Sequence, residues 1–102
     1  MTEKILQINF RFNVSRAEYE QAANSLADEF ADVDGLRWKI WMINEAEGEA
    51  GGIYMFEDEA SLNALLEGPL AAQVIGHPAL SEFSVKQFDV MEKVTAVTRG
   101  PV

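Results

Sequence analysis

Gly35-Leu-Arg-Trp-Lys-Ile-Trp41 and, after eight intervening residues, Ala50-Gly-Gly-Ile-Tyr-Met-Phe56 decide how this 102-residue chain folds. Both runs are rich in the branched and aromatic residues that suit strands, and the polar Asn44-Glu-Ala-Glu-Gly48 reads as the turn between them. The pair therefore forms a hairpin, with strands predicted over Leu36 to Ile43 and from about Glu49 to Phe56. Trp38 and Trp41 stand three apart, so in an extended strand their indoles leave opposite faces of the sheet. Gly51 and Gly52 withhold side chains inside a strand, which is tolerated where another backbone, a large ring or a ligand comes close. A flat aromatic beside a missing side chain reads as a slot.

Working outward, Lys4 to Phe12 alternates, with Leu6, Ile8, Phe10 and Phe12 on one face and Gln7, Asn9 and Arg11 on the other. Ser15-Arg-Ala-Glu18 is a capping box, flanked by the apolar pair Val14 and Tyr19 that staples a helix start. The helix that follows carries Tyr19, Ala22, Ala23, Leu26, Phe30 and Val33 at helical spacing and stops before Gly35. Asp58 caps a second helix bearing Leu62, Leu65 and Leu66 until Gly68-Pro69 breaks it, and Pro69 opens a further helical piece through Ile75. Phe83 to Val90 is the fourth predicted strand, and residues 91–102 form a C-terminal tail.

The order βαββαβ is the α+β, ferredoxin-like arrangement, a four-stranded antiparallel sheet with both helices on one face, occupying 1–102 as a single domain. The second strand is apolar on both sides, with Leu36, Trp38, Ile40 and Met42 opposing Trp41 and Ile43. Two-sided burial in so small a sheet calls for a second layer, most economically the sheet of an identical subunit, so a symmetric homodimer is expected.

Composition narrows the function. Hydrophobic residues make up 48% and charged residues 25%, the balance of a folded domain. A formal charge of -9 repels phosphate backbones and anionic lipid, which argues against nucleic acid and membrane surfaces as partners. No run approaches a membrane span, and Met1-Thr-Glu-Lys-Ile-Leu lacks the basic head and apolar core of a signal peptide, so the expected location is the cytosol. Cysteine is absent and His77 is the single histidine, so no metal site is expected. Gly51-Gly52 lies inside a strand and not at a strand-to-helix turn, and there is no phosphate-cradling loop or dinucleotide fingerprint. No cofactor is expected.

The acidic groups Glu57-Asp-Glu59 and Glu45 to Glu49 fall at turns and read as solvated or capping. Asn9, Arg11, Lys39, Tyr54 and Lys86 are polar residues placed on strands, as candidates either to line a cavity or to face water. His77, before Pro78 at a helix end, reads as a cap, with a general base or an axial haem ligand as the functional alternatives.

Leu6-Gln-Ile-Asn-Phe10 with Phe12-Asn13, then Gly35 to Trp41, Glu49-Ala-Gly-Gly-Ile-Tyr-Met-Phe-Glu-Asp-Glu59 and Phe88-Asp-Val90 carry a resemblance that runs almost end to end. In these blocks the chain resembles the YdhR-like monooxygenase family of the dimeric α/β-barrel superfamily, which also holds antibiotic-biosynthesis monooxygenases. The resemblance implies a ferredoxin-like fold dimerising through its sheets, and a monooxygenase activity without naming a substrate or a catalytic set.

Joined to the slot, it suggests oxidation of a small aromatic or polycyclic phenolic molecule without a cofactor. In that scheme Trp38 and Trp41 wall the ring, Gly51 and Gly52 leave it room, Arg11 lines the site, and Asn9, Tyr54 and His77 hydrogen-bond a developing oxyanion. The alternatives are a dimeric small-ligand-binding or stress-related protein and, behind it, a haem-degrading protein with His77 as ligand.

Overall fold

Alternation, caps and turns in the sequence become a regular order of elements. The computed structural model describes residues 3–102; Met1 and Thr2, where the N-terminal stretch considered above begins, lie outside the described residues. The elements are β1 (Lys4–Phe12), α1 (Arg16–Ala31), β2 (Leu36–Asn44), a short 3-10 turn (Glu45–Glu47), β3 (Glu49–Phe56), α2 (Glu59–Glu67), α3 (Pro69–Ile75), β4 (Leu80–Asp89) and α4 (Glu92–Val97). The strands form one antiparallel sheet in the order β2-β3-β1-β4, which is the ferredoxin-like topology.

The helices start where the caps dictate. The Ser15 hydroxyl accepts from the Glu18 amide while the Glu18 carboxylate accepts from the Ser15 amide, closing the box at α1. At α2 the Asp58 carboxylate accepts from the Ser61 amide at 2.8 Å. Between α1 and β2, Gly35 takes φ +81°, and a side chain there would also run into the Ser61 hydroxyl, so glycine is required on two counts.

Register then sorts the side chains. Leu6 pairs with Tyr54, Ile8 with Gly52 and Phe10 with Ala50, while Lys39 and Trp41 of β2 pair with Tyr54 and Gly52. These residues share the helix-covered face, where Leu6, Phe30, Tyr54, Phe56, Leu62 and Leu65 form the core. The other face carries Ile5, Gln7, Asn9 and Arg11 of β1, Ile53 and Met55 of β3, and Trp38 and Ile40 of β2.

Two bulges depart from the sequence reading. The β2–β3 register shifts between Leu36 and Trp38, which turns Leu36 onto the helix side, where it packs against the core instead of sharing a face with Trp38. The β1–β4 register shifts between Asn9 and Arg11, and Glu82 takes φ 54° there. Beyond that shift Arg11 pairs with Ser81 and Phe12 with Leu80, so β4 begins at Leu80, ahead of Phe83, and ends at Asp89.

The tail is ordered by contacts rather than by pattern. It leaves β4 at one sheet edge, forms α4, and reaches β2 at the other edge, where the Trp38 indole N–H donates to the Pro101 carbonyl at 3.0 Å. It thereby crosses the end of the open face at which Met55 is fully buried. Ile40 and Phe88 on that face, and Val94 and Val97 on the tail, remain largely exposed.

Candidate active site

Small residues on a helix and a missing side chain on the strand beneath it leave a void. Ala22 and Ala23 of α1 lie over the part of the sheet where β3 carries Gly51 and Gly52, and the space between them is a cavity of about 380 Å³. Phe10, Tyr19, Phe30, Trp41 and Tyr54 supply its rings, Leu26 and Val74 part of its aliphatic wall, and Glu18, Gln21, Lys39 and His77 its other polar groups. The rings brace one another: Phe30 meets Trp41 edge-on at 5.6 Å and Tyr54 at 5.8 Å, and Phe10 meets Tyr19 at 6.1 Å.

Lys39 is the unusual member. Its Nζ sits 3.4 Å from the Trp41 ring centroid, 3.5 Å from that of Phe30 and 4.6 Å from that of Tyr54. Among the described residues no carboxylate pairs with it. Burial strips water from the ammonium and pulls its pKa down to about 7. The ring faces return part of the lost hydration, about 0.5–1 kcal/mol each.

That shift has a stability signature. With the folded pKa below the unfolded one, the unfolded chain binds more protons between about pH 7 and pH 10.4, so stability rises with pH across that window. Lys39→Met is expected to be more stable than the wild type at pH 7 in urea unfolding, with the difference shrinking towards pH 10. A difference that does not vary with pH would place the lysine in ordinary solvation.

Tyr54 is buried, and burial together with Tyr19 raises its phenol pKa, so it stays a neutral donor across the physiological range. Its hydroxyl makes no hydrogen bond to the described residues. His77 follows α3 and accepts from the Ala79 amide at Nδ1 (3.1 Å), which leaves the proton of the neutral ring on Nε2. The site thus presents a phenol O–H, an imidazole N–H and an amine among aromatic walls.

The residues singled out from the sequence divide between the two faces. Trp41, Tyr54, His77 and the Gly51 backbone line the cavity. Gly52 lies opposite Trp41, and a Cβ on it would stand 2.9 Å from Lys39 Cε and 3.4 Å from the Tyr54 ring, so its bareness makes room for both. Asn9, Arg11 and Trp38 lie on the opposite face. Asn9 bridges Gln7 and Glu49, Arg11 donates to the Glu47 carbonyl and approaches Glu82, and Trp38 is held by the tail. Lys39 was legible only as one of several strand polar residues; its two-residue spacing from Trp41 was the signal that the two share a wall. Among the described residues no group of three or more histidine, cysteine or acidic side chains is arranged to hold a metal ion. No helix among them is long and apolar enough to cross a membrane.

Residues 5–101 match the family model described as "Putative mono-oxygenase ydhR". The chain belongs to this family. No functionally curated relative matches the sequence. Among solved structures, this YdhR-family chain is similar to SnoaB, a cofactor-independent oxygenase from Streptomyces nogalater, with TM-score 0.75 and 18% identity over 92% of this chain and 98% of that one. It is also similar to a "putative antibiotic biosynthesis monooxygenase" from Deinococcus radiodurans, with TM-score 0.71 and 13% identity over 87% and 93% of the two chains. The heme-degrader MhuD from Mycobacterium tuberculosis gives TM-score 0.66 and 19% identity over 85% and 95%. At such identities the likeness concerns the fold.

Proposed function

We propose that this YdhR-family protein is a cofactor-independent monooxygenase that oxidises a small aromatic or polycyclic phenolic substrate, and that it works as a cytosolic homodimer. The observation that carries this reading is the aromatic cavity of about 380 Å³ with the Tyr54 phenol and the His77 ring on its wall. That volume lies in the lower part of the range for small-molecule sites, about 300–1,000 Å³, and suits a bicyclic or tricyclic ring system better than a porphyrin.

In this chemistry the substrate supplies the electrons. Loss of a proton from an acidic phenol or benzylic carbon gives an anion that reduces molecular oxygen. One oxygen atom is then retained as a new carbonyl, while the other leaves as water with two substrate hydrogens. The chain's task is to orient the ring, exclude water and stabilise the oxyanion. Trp41 and Phe30 wall the ring, the bare Gly52 leaves room for the Lys39 and Tyr54 side chains beside it, and the Tyr54 hydroxyl and His77 Nε2–H donate to the oxyanion.

The test is oxygen uptake by metal-free, flavin-free protein over a panel of hydroxylated naphthalenes and anthrones, against heat-denatured protein. Uptake that falls in Tyr54→Phe supports the assignment. Tight binding of panel members with no uptake would make the protein a ligand-binding dimer instead.

The homodimer rests on the open sheet face, where Ile40 is 52% and Phe88 46% exposed, extended by Val94 and Val97 of the tail. In a symmetric pair each residue counts twice, and burying an isoleucine stabilises by about 1.5–3 kcal/mol. Ile40→Asp is therefore expected to weaken association about a hundredfold or more and to give the mass of a single chain in light scattering at micromolar concentration. A wild type of single-chain mass would remove the dimer from the account.

A further inference from the structure

We propose that Lys39 is a catalytic residue of this cavity, accepting the substrate's proton and holding the resulting anion, so that the substrate class is a hydroxylated aromatic bound through its phenolate or enolate. The proposal rests on the monooxygenase reading of the same site and adds to it the base that the oxyanion donors Tyr54 and His77 do not supply.

The placement argues for it. Lys39 is on the edge strand β2, where an extended side chain has water within reach, yet its Nζ folds inward to lie 3.4–3.5 Å from the centroids of Trp41 and Phe30. A flat ring resting against those walls brings an edge substituent within hydrogen-bonding distance of the amine. The groups that line the cavity from the surrounding elements leave the amine without a counter-ion. Glu18 of α1 is engaged by the Ser15 amide and hydroxyl; Tyr19 of α1 and Tyr54 of β3 present neutral phenols; His77, after α3, presents Nε2–H. Arg37, the nearest cation on β2, reaches Glu3. An amine with ring faces around it and, among the described residues, no carboxylate paired with it is complementary to a ligand that brings its own negative charge.

The step balances without a co-reactant. The substrate O–H bond breaks, its electron pair stays on oxygen, and the proton goes to Nζ, giving a phenolate and an ammonium side by side. The ring faces favour the ammonium that forms, so the ion pair is stabilised without reorganisation. Burial, which brings the lysine towards neutrality near pH 7, lets it begin as the base.

The experiment uses 4-nitro-1-naphthol, a phenol whose ionised form absorbs at longer wavelength, bound to the full-length protein and titrated by absorbance from acid to alkaline pH. The apparent pKa of the bound dye is expected to fall by about one to three units below that of the free dye in the wild type. The fall should be lost in Lys39→Met and kept in Lys39→Arg, which retains the cation. Oxygen uptake with an oxidisable substrate should drop in both variants, because a guanidinium does not give up its proton to act as a base. Circular dichroism of each variant confirms that it is folded. A bound-dye pKa in the wild type equal to or above that of the free dye overturns the proposal and needs no variant. The same lowered pKa in folded Lys39→Met also overturns it, while leaving the cavity as the binding site. Failure of the wild type to bind the dye at all would count against both the lysine role and the monooxygenase reading beneath it.

Discussion

Trp41→Ala is expected to lower kcat/KM for an aromatic substrate by about a hundredfold while leaving the protein folded. Trp41 is 38% exposed, so it contributes little to the core, yet it lines the cavity and also borders two grooves on the β2 edge. One groove runs past Tyr19, Ala23 and Met42, the other past Ala31, Leu36 and Arg37. The indole is therefore a partition between the cavity and the open edge of β2. Losing about 100 Å² of ring contact removes about 2.5 kcal/mol of binding, close to two decades. Opening the partition also admits water to the oxyanion and weakens the donors that face it. Trp41→Phe keeps a ring in place and should retain most of the activity. The comparison is made by oxygen electrode with urea midpoints alongside, and unchanged kinetics in Trp41→Ala would remove this wall from the site.

Gly51→Ala is expected to destabilise the fold by about 3 kcal/mol, and Gly52→Ala by less than about 1 kcal/mol. A Cβ on Gly51 collides with the Ile8 carbonyl oxygen and stands 3.0 Å from Asn9 Cα, both backbone atoms of β1 that move only if the ladder opens. A Cβ on Gly52 meets Lys39 Cε at 2.9 Å, the Ile40 carbonyl at 3.3 Å and the Tyr54 ring at 3.4 Å. The lysine stem can swing aside, so the fold survives, but it swings within the cavity. Gly52→Ala should therefore unfold near the wild-type urea concentration and still lose turnover, whereas Gly51→Ala should unfold early. Equal midpoints for the two variants would contradict this division of labour.

Much of the architecture was legible because its signals are local. The alternation of Leu6, Ile8 and Phe10, the Ser15–Glu18 box and the Asp58 cap each determine an element within a few residues. The bulges were not, since a register shift of one residue leaves no mark in composition, and Leu36 and the start of β4 went with them. The opposition of Trp38 and Trp41 followed from spacing alone. Which of them meets the cavity depends on the face the helices cover, and β1 held that information: Asn9 and Arg11 have the opposite parity to the core residues and fall on the open face. Lys39 shares parity with Trp41, but a lysine on a strand reads as solvent-facing until the cage of rings around it is seen.

In the function proposed above, the cavity oxidises an aromatic anion with molecular oxygen and nothing else. The most direct test is turnover of an anthrone under ¹⁸O₂ by chelator-treated, flavin-free protein, with mass spectrometry of the quinone. The expected product carries one labelled oxygen at the new carbonyl, at a rate that added flavin, metal or haem leaves unchanged. Label absent from the product, or turnover appearing only after one of those additions, would contradict the account.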